Sequence, residues 1–267
     1  MQWIIGALGA LLVAGAAYRK QSLSLSGMIA AIIMGTLYFG AGNAFWFGIL
    51  LIFFISSSAL SKLHHVNKAE LELTYAKTGR RDAGQVFANG GLGMVLVLLN
   101  AIFPLDLWGF LFIGVMATVT SDTWATEIGT LSKKPPRSVL TGKVLQAGTS
   151  GGVSILGTLA AALGGAFIGA SSWLLRIVSG MAEHSFVLLT LAGLLGGLAG
   201  AFADSILGAT VQRMNRCTVC GREVESSVHC GVQATYSRGW KWMGNDAVNA
   251  ISSVIGGAVA LLIGVMN

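Results

Sequence analysis

The chain has 267 residues, of which 54% are hydrophobic and only 10% are charged, and its mean hydropathy is +0.73. A soluble domain carries about 25% charged residues, so this composition excludes an ordinary water-soluble protein and indicates an integral membrane protein. A formal net charge of +6 would suggest nucleic-acid binding in a soluble protein, but in a membrane protein it is typical of basic cytoplasmic loops. We therefore expect no nucleic-acid partner.

Eight apolar segments predict an all-α, polytopic bundle of about eight transmembrane helices that forms a single membrane domain over 1–267. A span takes about 20 residues, which leaves room only for short loops. The predicted spans are 2–17, 26–41, 43–61, 84–104, 107–129, 149–172, 185–212 and 245–266. Seven or nine spans remain alternatives, because the first is short and only a turn at 40–43 separates the second from the third. The first span has basic residues after it and none before it, the wrong polarity for a signal peptide.

The basic residues predict the orientation of these spans. The loops after the first, third, fifth and seventh spans hold 16 of the 17 Lys and Arg residues, and only Arg176 lies on the other side. The positive-inside rule assigns these loops, mainly 62–82, 130–148 and 213–244, to the cytoplasm. We therefore expect a multi-pass protein of a bacterial or archaeal cell membrane whose active face is cytoplasmic.

Polar side chains gather near the cytoplasmic ends of five predicted spans, where their cost in lipid marks them as functional candidates. They are Arg81, Asp82, Gln85, Asn89, Asp122, Glu127, Thr149, Ser150, Asp204, Ser205, Gln212, Asn245, Asp246 and Asn249. Asp122 and Asp204 stand in the most apolar surroundings, whereas Asp82 and Asp246 could equally be ordinary helix-end residues. Asp122 and Glu127 lie about 140° apart on a helix. They could share one ion only if the helix unwinds or a ligand bridges them.

A short motif, Q-x3-[NS]-G-G, occurs at 85–91 and again at 146–152. Each copy is followed by a span that ends in Asp-Thr or Asp-Ser, which indicates either an internal repeat or a coincidence. Helix N-termini with free backbone N–H groups bind anions, so the copies Asn89-Gly90-Gly91 and Ser150-Gly151-Gly152 predict phosphate sites. Arg81 and Lys143 would neutralise phosphate charge.

Carboxylate and amide oxygens are the ligands that Mg²⁺ prefers, and Mg²⁺ commonly keeps substrate phosphates among its ligands. We therefore predict that Asp122, Glu127 and Asp204 hold Mg²⁺ in a site for nucleotide phosphates. Such a site at the cytoplasmic leaflet suits a cytosolic nucleotide that acts on a membrane-borne acceptor. The chain contains no P-loop motif, so a P-loop ATPase is not indicated.

A second candidate site lies in the loop before the last span, where Cys217, Cys220, His229 and Cys230 provide four soft ligands. Such Cys₃His sets are typical of structural Zn²⁺ sites. However, His229 and Cys230 are adjacent, and neighbouring residues rarely reach one ion without strain. Structural Zn²⁺ and metal-free, reduced thiols both remain open.

The chain resembles an integral-membrane family that includes the plant and cyanobacterial phytyl-phosphate kinases and the animal transmembrane protein 19. The resemblance covers nearly the whole chain in order. Its motifs are RDAGQVFANGG at 81–91, SDTWATEIG at 121–129, GTSGGVS at 148–154, DSILGATVQ at 204–212 and NDAVN at 245–249. Ser150 departs from the pattern, since Asn is expected there from the family.

The resemblance implies an isoprenyl-phosphate kinase that moves a phosphoryl group from a nucleoside triphosphate, with CTP expected, to an isoprenyl monophosphate. Asp122, Glu127, Asp204, Arg81 and Asp82 would then be catalytic. The residues expected to bind the nucleotide and acceptor phosphates are Gln85, Asn89, Gly90, Gly91, Lys143, Thr149, Ser150, Gly151, Gly152, Ser205, Gln212, Asn245, Asp246 and Asn249. A cation- or proton-coupled transporter, a lipid scramblase and a cytidylyltransferase acting on a lipid phosphate remain alternatives. The sequence does not indicate an oligomeric state.

Overall fold

A computed structural model of the protein describes residues 1–63, 80–181 and 184–266. These residues form eight α-helices. Most of the predicted loop 62–82 lies outside these ranges. The helices are α1 (Gln2–Arg19), α2 (Leu25–Leu37), α3 (Ala44–Leu63), α4 (Ala83–Ile102), α5 (Leu107–Gly129), α6 (Ile155–Val178), α7 (Phe186–Thr210) and α8 (Asn245–Val265). A π-helical turn at Tyr38–Gly42 extends α2 and separates it from α3. The predicted all-α bundle of eight helices is thus confirmed.

When the π-helical turn is counted as part of α2, the predicted helix ends agree with the structure to within about two residues, with one exception. The sixth span, predicted at 149–172, begins at Ile155 and ends at Val178. Residues 149–154 instead form a turn and a short strand, because Gly148 and Gly151 adopt positive φ angles of 84° and 81°. Ser154 then caps the helix by accepting a hydrogen bond from the Gly157 backbone N–H at 3.0 Å.

Helix α5 lies in the middle of the bundle, in contact with α3, α4, α6, α7 and α8. The other seven helices, with the π-helical turn counted in α2, are long and apolar enough to cross a membrane on length and composition alone. In α5, by contrast, Thr118, Thr120 and Ser121 are buried among the neighbouring helices. Their hydroxyl groups donate to backbone carbonyls, so the helix places polar groups in the bundle interior without exposing them to lipid.

The half of the bundle where α3 and α5 begin is closed by an aromatic cluster. Tyr38, Phe45, Trp46 and Phe112 are fully buried there, and the Trp46 and Phe112 rings lie 4.6 Å apart. Close to them, Arg176 forms an ion pair with Asp106, which also contacts His184. Burial raises the pKa of Asp106, but Arg176 and His184 outweigh it and the pKa ends below its usual value. The one basic residue predicted on this side is therefore neutralised.

The opposite end carries the longer connections, which form short antiparallel strands. In the α5–α6 connection, β1 (Arg137–Ser138) pairs with β2 (Gly152–Val153). The α7–α8 connection contains β3 (Met214–Arg216), β4 (Glu223–Val224), β5 (Val228–His229), β6 (Val232–Gln233) and β7 (Thr235–Arg238). Strand β3 pairs with both β4 and β7, and β5 pairs with β6. These connections fold over the end of the bundle and complete the wall of a cavity.

Candidate functional site

A cavity of about 1010 Å³ opens at the end of the bundle where the connections after α1, α3, α5 and α7 meet. Most of the predicted polar residues line it. They are Arg81, Gln85, Asn89, Asp122, Glu127, Thr149, Ser150, Gly151, Gly152, Asp204, Ser205, Gln212, Asn245 and Asp246. The structure therefore brings together residues from α4, α5, α7, α8 and the α5–α6 connection, as the common depth of these groups in the sequence predicted.

Two of the predicted carboxylates, Asp122 on α5 and Asp204 on α7, face each other across the cavity closely enough for their charges to repel. Glu225, from the α7–α8 connection, repels both and also lines the cavity. Ser252 on α8 donates a hydrogen bond to Asp204 at 3.3 Å. Three acidic groups thus line one cavity, an arrangement that favours a cation.

Glu225 is a cavity residue that the sequence did not predict, because it lies in a loop, far from any span. A signal did exist: Glu223 and Glu225 are the only acidic residues of the loop 213–244. Glu223 pairs with Arg238 at 3.1 Å, which leaves Glu225 as the acid of this loop that reaches the cavity. The backbone at 225–226 is held by the buried Asn215, whose side chain donates to both carbonyls at 3.2 and 3.0 Å.

Glu127 lies on another wall of the cavity from Asp122. Its carboxylate accepts a hydrogen bond from Ser61 on α3 at 2.9 Å, and its charge acts on Arg81. Helix α5 continues unbroken to Gly129, so only a bridging ligand could join Glu127 and Asp122. Within the described ranges, three or more potential metal-ligand atoms converge only at the cysteine loop. The carboxylates therefore form two walls of one cavity rather than a closed metal cage.

Arg81 is fixed by the connection between α1 and α2. Its backbone N–H donates to the Ser22 carbonyl, and its own carbonyl accepts from the Ser24 N–H, both at 3.0 Å. The guanidinium carbon lies 5.7 Å from the ring centres of Phe53 and Phe54. Burial lowers the pKa of Arg81 from its usual value, and the charge of Glu127 opposes this shift. Arg81 is thus a positioned cation at the cavity wall.

Three further cations line the cavity. They are Lys62, near the end of α3, and Lys133 and Lys134, in the connection after α5. The sequence predicts Lys143 in this role, but in the structure Lys143 is exposed on the β1–β2 connection and is not among the residues that line the cavity. Lys133 and Lys134 precede Pro135 and Pro136, which also belong to the wall. In the sequence both lysines are ordinary loop charges, so spacing does not distinguish them from Lys143.

The N-termini of α6 and α8 both end at this cavity. Gly152, Ser154 and Gly157 line it beside α6, and Asn245 and Asp246 line it in the first turn of α8. Helix N-termini carry partial positive charge and free N–H groups, so they attract phosphate oxygens. The predicted phosphate site at Ser150-Gly151-Gly152 thus lies at the cavity. These residues form a turn before α6 and are not part of the helix itself.

The turn before α6 is fastened to the end of α7. Ser150 donates a hydrogen bond from its hydroxyl group to the side-chain oxygen of Gln212 at 2.8 Å. Gly151 packs against Ala209, where a side chain on Gly151 would collide. The side-chain nitrogen of Gln212 is buried and has no hydrogen-bond partner among the described residues. Gln212 therefore presents a donor in the wall of the cavity.

The other copy of the repeated motif does not form a helix start. Helix α4 begins at Ala83, so Asn89, Gly90 and Gly91 lie beyond its first turn, where backbone N–H groups bond within the helix. The prediction of an anion site there is wrong. Gly90 instead packs against Met34, and its carbonyl accepts a hydrogen bond from Tyr38 at 2.8 Å. The two copies of the motif therefore have different conformations and do not mark equivalent helix starts.

Besides Lys143 and Gly90, three more of the predicted site residues lie outside the cavity wall. Asp82 caps α4 in a capping box, accepting from the Gln85 backbone N–H at 2.8 Å, which is the helix-end role that the sequence left open. Gly91 and Asn249 are also absent from the wall. Asn249 uses its carbonyl to accept from Ser252 and Ser253, at 3.0 and 2.7 Å. These residues support the helices that carry the site.

The cysteine loop lies beside the cavity rather than in its wall. The ligand atoms of Cys217, Cys220, His229 and Cys230 all lie within 4.8 Å of one another. The three cysteines are free thiols. A backbone hydrogen bond from Cys220 is the main cause that lowers the pKa of Cys217 to about 6, whereas burial raises the pKa of Cys230 to about 11.

The fold and the cavity define a polytopic membrane protein with a polar site at one end of its helices. The chain belongs to the family described as Integral membrane protein DUF92, whose profile matches residues 8–257. This match, together with the relatives below, confirms the family that the sequence motifs indicated.

Among curated proteins, the chain is 32% identical over 266 residues to Protein PGR of Arabidopsis thaliana, covering 91% of this chain and 90% of that protein. It is 29% identical to an uncharacterized membrane protein of Methanocaldococcus jannaschii, covering 92% and 87%. It is 27% identical to Protein VTE6, chloroplastic, of Arabidopsis thaliana, covering 94% and 68%. No solved structure matches the chain. The similar proteins thus include both a prokaryotic protein and plant proteins, one of them chloroplastic.

Proposed function

We propose that this protein is a lipid-phosphate kinase. It would transfer the terminal phosphoryl group of a nucleoside triphosphate, with CTP as the first candidate, to an isoprenyl monophosphate, giving the diphosphate. The observation that carries the proposal is the cavity itself, in which carboxylates, cations and two helix N-termini meet at one end of the bundle. The resemblance to phytyl-phosphate kinases and the similarity to Protein VTE6 support the same activity.

An apolar crevice next to the cavity supports a lipid acceptor. It runs between α1, α2, α3 and α4, is lined by side chains such as Val13, Leu50 and Phe54, and has a volume of about 60 Å³. Arg81, Gln85 and Asn89 line both the crevice and the polar cavity. An acceptor could therefore place its phosphate beside Arg81 and the first part of its chain in the crevice. The rest of the chain would lie in the lipid.

The carboxylate pair Asp122 and Asp204, with Glu225 beside it, would hold a divalent cation such as Mg²⁺. All three carboxylates line the same cavity, and hard oxygen ligands of this kind select hard cations. When bound, Mg²⁺ would neutralise charge on the nucleotide phosphates and use their oxygens to complete its ligand set.

The residues of the chain would act by positioning and charge neutralisation, which supply most of the catalysis in phosphoryl transfer. Arg81, Lys133 and Lys134 would bind phosphate oxygens, and the N-termini of α6 and α8 would add N–H donors. An oxygen of the acceptor phosphate forms the new bond to the terminal phosphorus as the bond to the leaving CDP oxygen breaks. The acceptor phosphate is already ionised at neutral pH, so no strong base is required. Among the described residues, no His lines the cavity.

A carrier is the main alternative, and one observation weighs against it. A carrier needs a polar path that can open to both faces of the membrane. In the described bundle, the half away from the cavity is filled by the aromatic cluster and by apolar residues such as Ile113 and Ile168. This packing is typical of a site that takes its substrates from one face and returns its products there.

The decisive experiment is an assay of the purified protein with CTP, Mg²⁺ and phytyl or geranylgeranyl phosphate in detergent or vesicles. We expect isoprenyl diphosphate and CDP. Release of pyrophosphate instead would favour a cytidylyltransferase. Absence of turnover with all four nucleoside triphosphates and several acceptor lengths would contradict the kinase and favour a carrier.

Two substitutions test the acidic wall. Asp122→Asn and Asp204→Asn should each lower turnover by at least ~100-fold, because each removes a carboxylate ligand of the divalent cation that offsets the phosphate charge. Asp106→Asn is the matched control, since Asp106 lies at the opposite end of the bundle and Asn can still accept from Arg176. It should retain turnover per folded molecule. Near wild-type rates in both cavity variants would rule out the acidic wall as the catalytic centre.

A further inference from the structure

The cysteine loop carries a second site whose geometry is independent of the proposed kinase activity. Cys217 and Cys220 follow strand β3, and His229 and Cys230 lie in the β5–β6 hairpin. Their ligand atoms nevertheless meet at one point, all within 4.8 Å of one another. Cys217 and His229 are buried, and Cys220 and Cys230 are exposed at the outer side of the loop.

The first pair of ligands is held by a tight turn. The Gly221 backbone N–H donates to the Cys217 carbonyl at 2.9 Å, and the Cys217 N–H donates to the Arg222 carbonyl at 3.0 Å. The Cys220 N–H donates to the sulfur of Cys217. Gly221 adopts a φ of 73°, which allows the backbone to reverse its direction after Cys220. This turn points both sulfurs to the same side and supplies an N–H group to one of them.

The second pair of ligands, His229 and Cys230, is adjacent in the sequence, yet the backbone conformation lets both side chains reach one point. Cys230 adopts a φ of 52°, in the left-handed region that few residues other than glycine occupy, and Gly231 follows with 75°. As a result, the Cys230 sulfur lies 3.2 Å from Nδ1 of His229, and the Cys220 sulfur lies 3.5 Å from the same nitrogen. In a tetrahedral zinc site, with Zn–S near 2.3 Å and Zn–N near 2.0 Å, such S···N distances are about 3.5 Å.

We propose that Cys217, Cys220, His229 and Cys230 bind one structural zinc ion through three sulfurs and Nδ1 of His229. Soft thiolates with one imidazole in tetrahedral arrangement select zinc among common cellular metals. The surrounding strands have only two to four residues each, too few to form a core of their own. Metal ligation would supply the stability that this loop lacks, as it does in other small metal-bound domains.

The site would also fix one wall of the polar cavity. Glu225 lies between the two pairs of ligands in the sequence, five residues after Cys220 and four before His229. Zinc would join the β3–β4 hairpin, which leads to Glu225, to the β5–β6 hairpin, which follows it. The metal is therefore expected to hold Glu225 opposite Asp122 and Asp204 without entering the cavity.

The first test measures the metal content of the purified wild-type protein by elemental mass spectrometry. We expect one zinc per chain, retained through dialysis against a weak chelator. Titration with a mercurial should release this zinc in step with modification of three thiols. Exchange with Co²⁺ should give the visible bands and sulfur charge-transfer absorption of a tetrahedral Cys₃His site. These readouts do not depend on turnover, so they can succeed where the kinase proposal fails.

Variants locate the site. Cys217→Ser and Cys230→Ser should each lose bound zinc and show faster amide hydrogen exchange in 213–244, with little change in α6. His184→Asn is the matched control, because His184 lies at the other end of the bundle and should leave the zinc content unchanged. Wild-type protein with substoichiometric zinc and three freely titrating thiols would overturn the proposal. A disulfide between Cys220 and Cys230, found by mass analysis without reduction, would also overturn it.

Discussion

Arg81 shows how single residues position the chemistry of this site. The residue lies between α3 and α4, yet its backbone is held by Ser22 and Ser24 in the α1–α2 connection. Gly27, in the first turn of α2, lies directly beneath the Arg81 carbonyl, and a Cβ atom there would collide with that oxygen. The absence of a side chain at position 27 is therefore what allows α2 to approach and hold a cavity cation.

Gly27→Ala tests this contact. The added methyl group must displace the Arg81 backbone, so we expect a loss of about 1–3 kcal/mol in stability. Turnover should also fall in the isoprenyl phosphate assay. Thermal unfolding in detergent, followed beside that assay, measures both effects. Gly15→Ala is the matched control, because a Cβ at Gly15 in α1 meets nothing within 4 Å. Equal stability and equal turnover of the two variants would show that the contact between Gly27 and Arg81 is not important.

The limits of sequence reasoning are also visible at single residues. Asp122 and Asp204 could be found because a charge in an apolar span has few structural roles. Glu225, Lys133 and Lys134 could not be singled out, because loop charges are common and only the folded connections bring these residues to the cavity. In the sequence, only its place near a glycine motif favours Lys143 over its neighbours, and in the structure Lys143 is exposed between β1 and β2.

At the scale of elements, hydropathy located the helices well because lipid requires about 20 apolar residues in each of them. Hydropathy places the start of α6 too early. The residues at 149–154 are small and uncharged, so hydropathy does not distinguish them from the helix. Two glycines with positive φ and the pairing of β2 with β1 instead make a turn that lines the cavity. Backbone conformations of this kind leave no hydropathy signal.

Close packing of α5, α7 and α8 aligns the two acidic residues of the cavity. Gly256 on α8 lies against Thr118 on α5 and against Gly196 on α7, where a Cβ atom on Gly256 would come within 2.6 Å of the Gly196 carbonyl oxygen. Small residues at such crossings let helix backbones approach where hydrophobicity does not drive association. Asp122 lies one turn beyond Thr118 and Asp204 lies two turns beyond Gly196, so this crossing determines their separation.

Gly256→Ala should therefore separate the three helices and cost about 1–3 kcal/mol in stability. Activity should fall further than the loss of folded protein explains, because the Asp122–Asp204 separation changes as well. The measurement is turnover per folded molecule, with the folded fraction taken from size-exclusion profiles. Gly9→Ala in α1 is the control, since a Cβ there only touches the Phe47 ring at 3.9 Å. Unchanged turnover in Gly256→Ala would show that the crossing tolerates movement.

At the scale of the whole molecule, polarity divides the bundle into two halves. One half holds the cavity, its carboxylates and its cations, and the other holds the aromatic cluster. Of the 15 basic residues in the described ranges, 14 belong to connections at the cavity end, while Arg176 at the other end is paired with Asp106. The charge asymmetry predicted from the sequence thus coincides with the position of the site, which predicts that the cavity faces the cytoplasm.

Two matched substitutions test this orientation in bacterial cells that express the full chain. Leu105→Cys places a thiol on the exposed α4–α5 connection, and Leu140→Cys places one on the exposed connection beside the cavity. A membrane-impermeant maleimide should label Leu105→Cys in intact cells but label Leu140→Cys only after lysis. The wild-type protein, whose three cysteines lie at the cavity end, should remain unlabelled in intact cells. The reverse pattern would place the cavity outside the cell, where nucleoside triphosphates are scarce, and would contradict both the orientation and a cytosolic phosphoryl donor.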